Sequence, residues 1–141
     1  MENNDLISTN SNIINVNEET FMSEVVETSK IKPVIVDFWA PWCEPCKTLT
    51  PLLEDAVKDY VKDLILAKID IDQNQNIATQ LSIQSIPTIY TFFGGKVVDG
   101  FQGVKSKSEI IDFVNKSVSL SGPGQEVKDL ISSAKEFIEI R

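Results

Sequence analysis

The sequence predicts an α/β domain with a central mixed sheet of four to five strands flanked by helices. Short β-branched stretches alternate with amphipathic helical stretches along residues 13–93, which is typical of parallel strands joined by crossover helices. Two further apolar stretches then follow each other across Gly94-Gly95, which predicts an antiparallel hairpin at one end of the sheet. The expected order is β-α-β-α-β-α-β-β-α.

The first half of the domain begins with a short strand at residues 13–16. A helix is expected next, because Asn17 is a good cap residue and acidic residues follow it, and Pro33 ends this helical segment. Residues 34–39 (VIVDFW) form an almost continuous apolar run, which is typical of a strand buried on both faces.

The second half begins with a long amphipathic helix after Cys43, in which Pro51 is expected to introduce a kink without ending the helix. The last helix has a capping box, with Ser106 as cap and Glu109 at the third helical position. Between these two helices we predict a strand at 64–69, a helix at 73–81 and strands at 88–93 and 96–101. The last helix is predicted at 106–118.

The chain ends of this domain have a different composition. Residues 1–12 are polar and are expected to be a disordered tail, so the domain spans 13–118. Residues 119–124 (SLSGPG) are expected to be a linker, and 125–141 have the pattern of an extra C-terminal amphipathic helix. That helix could dock on the domain, pair with a partner, or begin a truncated helical repeat region.

Charge and composition exclude several classes of function. Thirteen basic residues against 21 acidic ones give a net charge of −8, so we expect neither nucleic acid nor a membrane surface as a partner. No apolar run reaches membrane-spanning length, and the first residues lack a signal-peptide pattern, so we expect a cytoplasmic protein. The chain contains no histidine, which excludes Ser–His and Cys–His nucleophile pairs.

The two cysteines of the chain, Cys43 and Cys46, are three residues apart between a buried strand and the start of a helix. The helix N-terminus favours a thiolate at Cys43, Cys46 lies one turn away, and Pro45 stiffens the turn. This arrangement predicts a redox dithiol in which Cys43 attacks a disulfide and Cys46 resolves the mixed disulfide. A structural disulfide, a zinc half-site shared by two chains and a pair of inert core cysteines are less favoured alternatives.

Residues 36–47 (VDFWAPWCEPCK) resemble the active-site sequence of the thioredoxin family. The similarity covers roughly residues 13–118 and keeps every element in the family's order. It also includes Pro51, Lys68, the segment Ile86-Pro87-Thr88, and the glycines Gly94, Gly95 and Gly103.

The resemblance implies a role for four catalytic residues. Cys43 would be the attacking thiolate and Cys46 the buried resolving thiol. Asp37 would be the buried carboxylate that takes the proton from Cys46 through water, with a pKa raised by burial. Lys68 would pair with Asp37. The alternatives are a surface aspartate and a solvated lysine at the end of a strand.

The resemblance also implies a substrate-binding surface. Pro87 would be a cis-proline facing the dithiol, and the backbone of Ile86 would pair with an extended substrate segment. An ordinary trans turn is the alternative. Trp42 would be exposed and contact substrate, and Gly103 would leave room for a substrate backbone. Trp39 is expected in the core beneath the site.

Glu44 departs from the family pattern, which usually has glycine at this position. Its carboxylate lies beside Cys43 in sequence and opposes a thiolate there, so we expect a higher Cys43 pKa and a modestly more reducing couple.

Two functions follow from the resemblance. The first is a monomeric protein-disulfide reductase that uses no cofactor beyond its own redox-active disulfide and receives electrons from thioredoxin reductase. The second is a co-chaperone that binds unfolded clients, because residues 83–87 and 98–103 and the Gly-Pro linker are similar to bacterial proteins that join a thioredoxin domain to tetratricopeptide repeats. A redox-inactive structural domain is disfavoured because Cys43, Cys46 and Asp37 are all present.

Overall fold

The computed structural model describes residues 11–121, and its elements follow the order expected from the sequence. The strands are β1 (Ile13–Asn15), β2 (Val34–Trp39), β3 (Ile65–Asp70), β4 (Thr88–Phe93) and β5 (Lys96–Gln102). The helices are α1 (Met22–Glu27), α2 (Glu44–Val57), α3 (Gln75–Gln80) and α4 (Lys107–Val118). The first of these is π-helical and continues into a 3-10 turn at Thr28–Lys30, and α4 continues into another at Ser119–Ser121.

The five strands form one mixed sheet in the order β1-β3-β2-β4-β5. Strand β3 pairs in parallel with both β1 and β2, whereas β4 pairs antiparallel with both β2 and β5. The predicted α/β class with a mixed sheet is therefore confirmed. Strand β2 lies at the centre, which explains why its sequence is almost wholly apolar.

The two faces of the sheet carry separate hydrophobic cores. Val34, Val36 and Phe38 contribute to the core on the α1 side, whereas Ile35 packs with buried residues of α2 and α4. Because side chains alternate along a strand, Asp37 belongs to the same face as Ile35. The only acidic residue of β2 is thereby directed towards the helix that carries the two cysteines.

The capping box of the last helix has the predicted hydrogen bonds. The Ser106 hydroxyl accepts from the Glu109 N–H at 3.2 Å, and the Glu109 carboxylate accepts from the Ser106 N–H at 2.9 Å. Helix α2 continues through Pro51, as the apolar periodicity predicts, and ends at Val57. The hairpin between β4 and β5 turns at Gly94-Gly95.

Most boundaries differ from the sequence-based expectation by one or two residues, and two differences have a clear structural cause. The first helix begins at Met22, because the Asn17 side chain accepts from the N–H groups of Glu19 and Thr20 and forms a separate turn before the helix. Asn12, which the polar composition assigns to a disordered tail, is only 2% exposed. Its amide donates to carbonyl oxygens at the end of α2 and in the following loop, so it belongs to the domain.

The remaining expectations about the chain ends lie outside the described residues. These are the tail over residues 1–10, the end of the linker at 122–124 and the C-terminal helix at 125–141. Within residues 11–121, no helix combines the length and the apolar character needed to cross a membrane.

Candidate active site

Cys43 and Cys46 lie at the N-terminus of α2, directly after the loop that leaves β2. Cys43 is the N-cap residue, and its sulfur accepts a hydrogen bond from the Cys46 N–H at 3.2 Å. The two sulfurs form a disulfide between Cα atoms 5.3 Å apart. Pro45 lies in the first turn, where a missing N–H leaves no helical hydrogen bond unmade. The helix end therefore supplies a hydrogen bond and a positive dipole to the Cys43 sulfur.

The disulfide is largely covered by the protein. Cys43 and Cys46 are 3% and 2% exposed, and they form a small buried cluster with Ala40. Ile86 packs against this cluster although it lies 40 residues further along the chain than Cys46. The Ile86–Pro87 peptide bond that follows is cis. The fold thus brings the Ile86-Pro87 segment to the dithiol.

Gly103 lies next to this segment. Its N–H donates to the Pro87 carbonyl oxygen at 2.9 Å, and its φ of +80° is one that glycine adopts without steric cost. A Cβ atom built on Gly103 would meet no atom within 4 Å, so the space beside it is open.

The two tryptophans of the site have different environments. Trp42 is 64% exposed, and its indole N–H donates to the Asp72 carboxylate, with nitrogen–oxygen distances of 2.9 and 3.2 Å. Trp39 is half-buried and packs against the cysteine cluster. The role of Asp72 in orienting Trp42 was not predicted from the sequence. The sequence indicates Asp72 only as an acidic residue just beyond the carboxyl end of a predicted strand.

Asp37 is completely buried on the α2 side of the sheet. Its Oδ2 accepts a hydrogen bond of 2.7 Å from the Thr50 hydroxyl, whereas Oδ1 has no hydrogen-bond partner among residues 11–121. Burial raises the pKa of Asp37 to about 6, since removal from water disfavours the charged form. The Thr50 hydrogen bond and the charge of Lys68 act in the opposite direction, and Glu54 adds to the rise.

Lys68 differs from the sequence-based expectation that it pairs with Asp37. Asp37 and Lys68 are opposite each other in the register of β2 and β3, but the Lys68 ammonium donates to Glu54 Oε2 at 2.8 Å. Glu54 is the nearer partner because α2 brings it over the end of the lysine side chain, at a partly exposed position. Lys68 therefore acts on Asp37 through space, as a positive charge, and not through a direct ion pair.

Cys46, Thr50 and Glu54 recur at every fourth position of α2 and therefore lie along one face of the helix. This spacing is visible in the sequence, but its meaning depends on the position of Asp37 on β2. All three residues line a cavity of about 300 Å³. The other lining residues are Trp39, Ala40, Pro41, Lys47, Pro51 and Lys68. The cavity thus extends from Cys46 to the Lys68–Glu54 ion pair.

These features are those of a thiol–disulfide oxidoreductase. The disulfide lies at the N-terminus of a helix that packs on a mixed sheet, and a buried carboxyl group lies behind that helix. The thioredoxin family model matches residues 12–116, so the chain belongs to the thioredoxin family.

Individual relatives agree with this assignment. The chain is 41% identical over 104 residues to the thioredoxin of Rickettsia felis. The matched residues make up 74% of this chain and 97% of that protein. It is 42% identical over 103 residues to the thioredoxin of Buchnera aphidicola, covering 73% and 93% respectively. A chloroplastic M-type thioredoxin of Chlamydomonas reinhardtii is 41% identical over 101 residues, covering 72% and 71%.

Proposed function

We propose that this oxidoreductase reduces protein disulfides through a mixed disulfide on Cys43, which Cys46 then resolves. The observation that carries the proposal is the position of the pair at the start of α2. Cys43 is the residue that caps the helix and receives the Cys46 N–H, so its thiolate is the better stabilised of the two.

The proposed reaction exchanges two electrons between two pairs of sulfur atoms. The Cys43 thiolate attacks one sulfur of the substrate disulfide, a mixed disulfide forms, and the other substrate sulfur leaves as a thiolate. Cys46 loses its proton and attacks the Cys43 sulfur, which releases the second substrate thiolate. The substrate gains two electrons, and the protein keeps the Cys43–Cys46 disulfide.

Asp37 is proposed as the acceptor of the Cys46 proton. Its buried carboxyl group has a pKa of about 6, so it is mostly ionised at neutral pH yet binds a proton more readily than an exposed aspartate. Thr50, which contacts Asp37, lies on the same face of α2 as Cys46. Lys68 is proposed to favour the ionised form of Asp37 by its charge.

An extended segment of the substrate is proposed to bind across Trp42, Ile86, Pro87 and Gly103. Three features support this surface: the exposed indole of Trp42, the packing of Ile86 against the cysteines, and the open space beside Gly103. Backbone pairing with Ile86 would let the site accept many sequences, since main-chain hydrogen bonds do not depend on side chains.

The electron donor completes the proposal. We propose that thioredoxin reductase, using NADPH, returns two electrons to the Cys43–Cys46 disulfide, and that a monomer works without any other cofactor. A cytoplasmic location is part of this proposal, because the dithiol must be reduced again after each cycle.

The reductase proposal is tested with Cys46→Ser and Cys43→Ser variants of the full chain. With insulin as substrate, reductase and NADPH, the wild type is expected to oxidise NADPH continuously. Cys46→Ser is expected to stop after accumulating a mixed disulfide on Cys43, visible by mass spectrometry and released by dithiothreitol. Equal trapping by Cys43→Ser would contradict the assigned order, and no turnover by the wild type would contradict the function.

We propose client binding as a second function, independent of the redox reaction. Its support is the amphipathic pattern that follows the Gly-Pro linker, with apolar residues at 127, 130, 131, 134 and 138, beyond the described residues. The full chain with both cysteines changed to serine is expected to suppress aggregation of a heat-unfolded client as well as the wild type does. Loss of this suppression would reject a redox-independent role.

A further inference from the structure

Thr50 is the residue that links the buried carboxyl group to the helix carrying the resolving cysteine. Its hydroxyl donates to Asp37 Oδ2 at 2.7 Å, and this is the hydrogen bond that the structure gives the Asp37 side chain. Thr50 also lines the cavity next to Cys46. One side chain therefore touches the proposed proton acceptor and faces the space beside the proposed proton donor.

The packing of α2 on the sheet directs the Thr50 hydroxyl at Asp37. A threonine inside a helix usually donates to a backbone carbonyl one turn earlier. Thr50 donates instead to β2, across the interface between helix and sheet. Its branched Cβ leaves two main rotamers in a helix, and the hydrogen bond to Asp37 selects one of them.

We propose that Thr50 is a positioning residue for the resolving step: its hydroxyl fixes the Asp37 carboxylate through Oδ2 and leaves Oδ1 as the position that receives the Cys46 proton. This inference rests on the proposed reductase function and adds to it a residue that does not itself react. It follows from the unequal environments of the two carboxylate oxygens, one hydrogen-bonded and the other without a partner in the described part of the chain.

The other ionisable groups around Asp37 cannot supply the same orientation. Lys68 on β3 is engaged by Glu54 of α2 at 2.8 Å, and both act on Asp37 only through space. Cys46, also on α2, is the proposed proton donor. On the β4 side, the register partner of Asp37 is Ile89, which is apolar. Thr50 therefore provides the directional contact, while Lys68 and Glu54 provide opposing charges.

Removing the hydroxyl changes the ionisation of Asp37 in a defined direction. A hydrogen bond to the charged form favours that form, so the pKa of Asp37 is expected to rise further when the bond is lost. A rise of about one unit would reduce the ionised fraction at about pH 6 roughly fivefold and change it little at about pH 8.

The test compares Thr50→Val, which keeps the shape but not the hydroxyl, with Thr50→Ser, which keeps the hydroxyl. Thr48→Val changes an exposed threonine of the same helix and is the matched control. The Asp37 carboxyl carbon is titrated by NMR in the oxidised full-length protein, which requires no turnover. Single-turnover reduction of a disulfide peptide is then followed at about pH 6 and pH 8.

Thr50→Val is expected to raise the titration midpoint by about one unit and to slow release of the second thiol about fivefold at the lower pH only. Thr50→Ser is expected to restore both properties, and Thr48→Val to match the wild type. A wild-type midpoint in Thr50→Val, or equal slowing at both pH values, would overturn the role of Thr50 while leaving the reductase proposal intact. A wild-type protein that reduces no disulfide would overturn both.

Discussion

Replacing Asp37 with asparagine tests how much the buried carboxylate destabilises the fold. Burial raises the pKa of Asp37 from 3.8 to about 6, so the folded protein binds this proton more tightly than the unfolded chain. The resulting contribution to stability is fully present below about pH 3.8 and is lost as the pH rises through about 6. An asparagine amide does not ionise, so the Asp37→Asn variant lacks this loss.

The size of the effect follows from the difference between the two pKa values. A difference of about two pKa units between the folded and unfolded states corresponds to about 3 kcal/mol in the free energy of unfolding. As the pH rises from about 3.5 to about 8, the free energy of unfolding of Asp37→Asn should therefore increase by about 3 kcal/mol relative to that of the wild type. The amide has nearly the shape of the carboxyl group, and its oxygen can still accept from the Thr50 hydroxyl, so packing effects are expected to be similar at both pH values.

Urea denaturation of the oxidised proteins at a series of pH values measures this difference. With a denaturant slope of about 1.5 kcal/mol per molar, the relative midpoint of the variant should shift by about 2 M across the series. Asp112→Asn, at an exposed position of α4, is the control and should follow the wild type. A stability difference between Asp37→Asn and wild type that is the same at all pH values would refute the assignment of a raised pKa to Asp37.

Two further predictions concern residues at the edges of the domain and of the site. Asn12→Ala should lower the free energy of unfolding by about 2 kcal/mol in urea titrations, because it leaves buried carbonyl oxygens without their donor; a loss below about 0.5 kcal/mol would contradict this. Glu44→Gly should increase the thiolate fraction of Cys43 at neutral pH less than about threefold, because Glu44 is exposed and its charge is offset by Lys47 at 3.1 Å. Thiolate absorbance measures this, with Glu44→Gln as control, and an unchanged or lower thiolate fraction would contradict the prediction.

The fold was largely predictable because its signals are local. Helix and strand periodicities identify their elements without knowledge of the tertiary structure, and the Ser106–Glu109 capping box requires only four consecutive residues. Polar composition is also a local signal, and it wrongly places Asn12 in the tail. Its three hydrogen bonds reach carbonyl groups 45 to 52 residues away, and no local pattern could reveal them.

The same distinction applies to the candidate site. The Cys43–Cys46 pair and Pro45 could be identified directly, because helix-end chemistry depends on adjacent residues. The partner of Lys68 depends instead on how α2 crosses the sheet, which determines whether Asp37 or Glu54 is nearer. The contact between Thr50 and Asp37 has the same origin.

Asp37 places an ionisable group where the centre of the sheet favours an apolar side chain. An ionisable residue within a central apolar strand reduces stability at neutral pH, and such conflicts in natural proteins are expected mainly at functional sites. The burial that destabilises the ionised form also brings the pKa close to the range in which a proton can be accepted and released. The loss of stability at neutral pH and the proposed proton transfer therefore have one physical cause, so Asp37→Asn is expected to remove both. Thr50 is different, because its hydroxyl adjusts the balance between the two forms without itself carrying a charge.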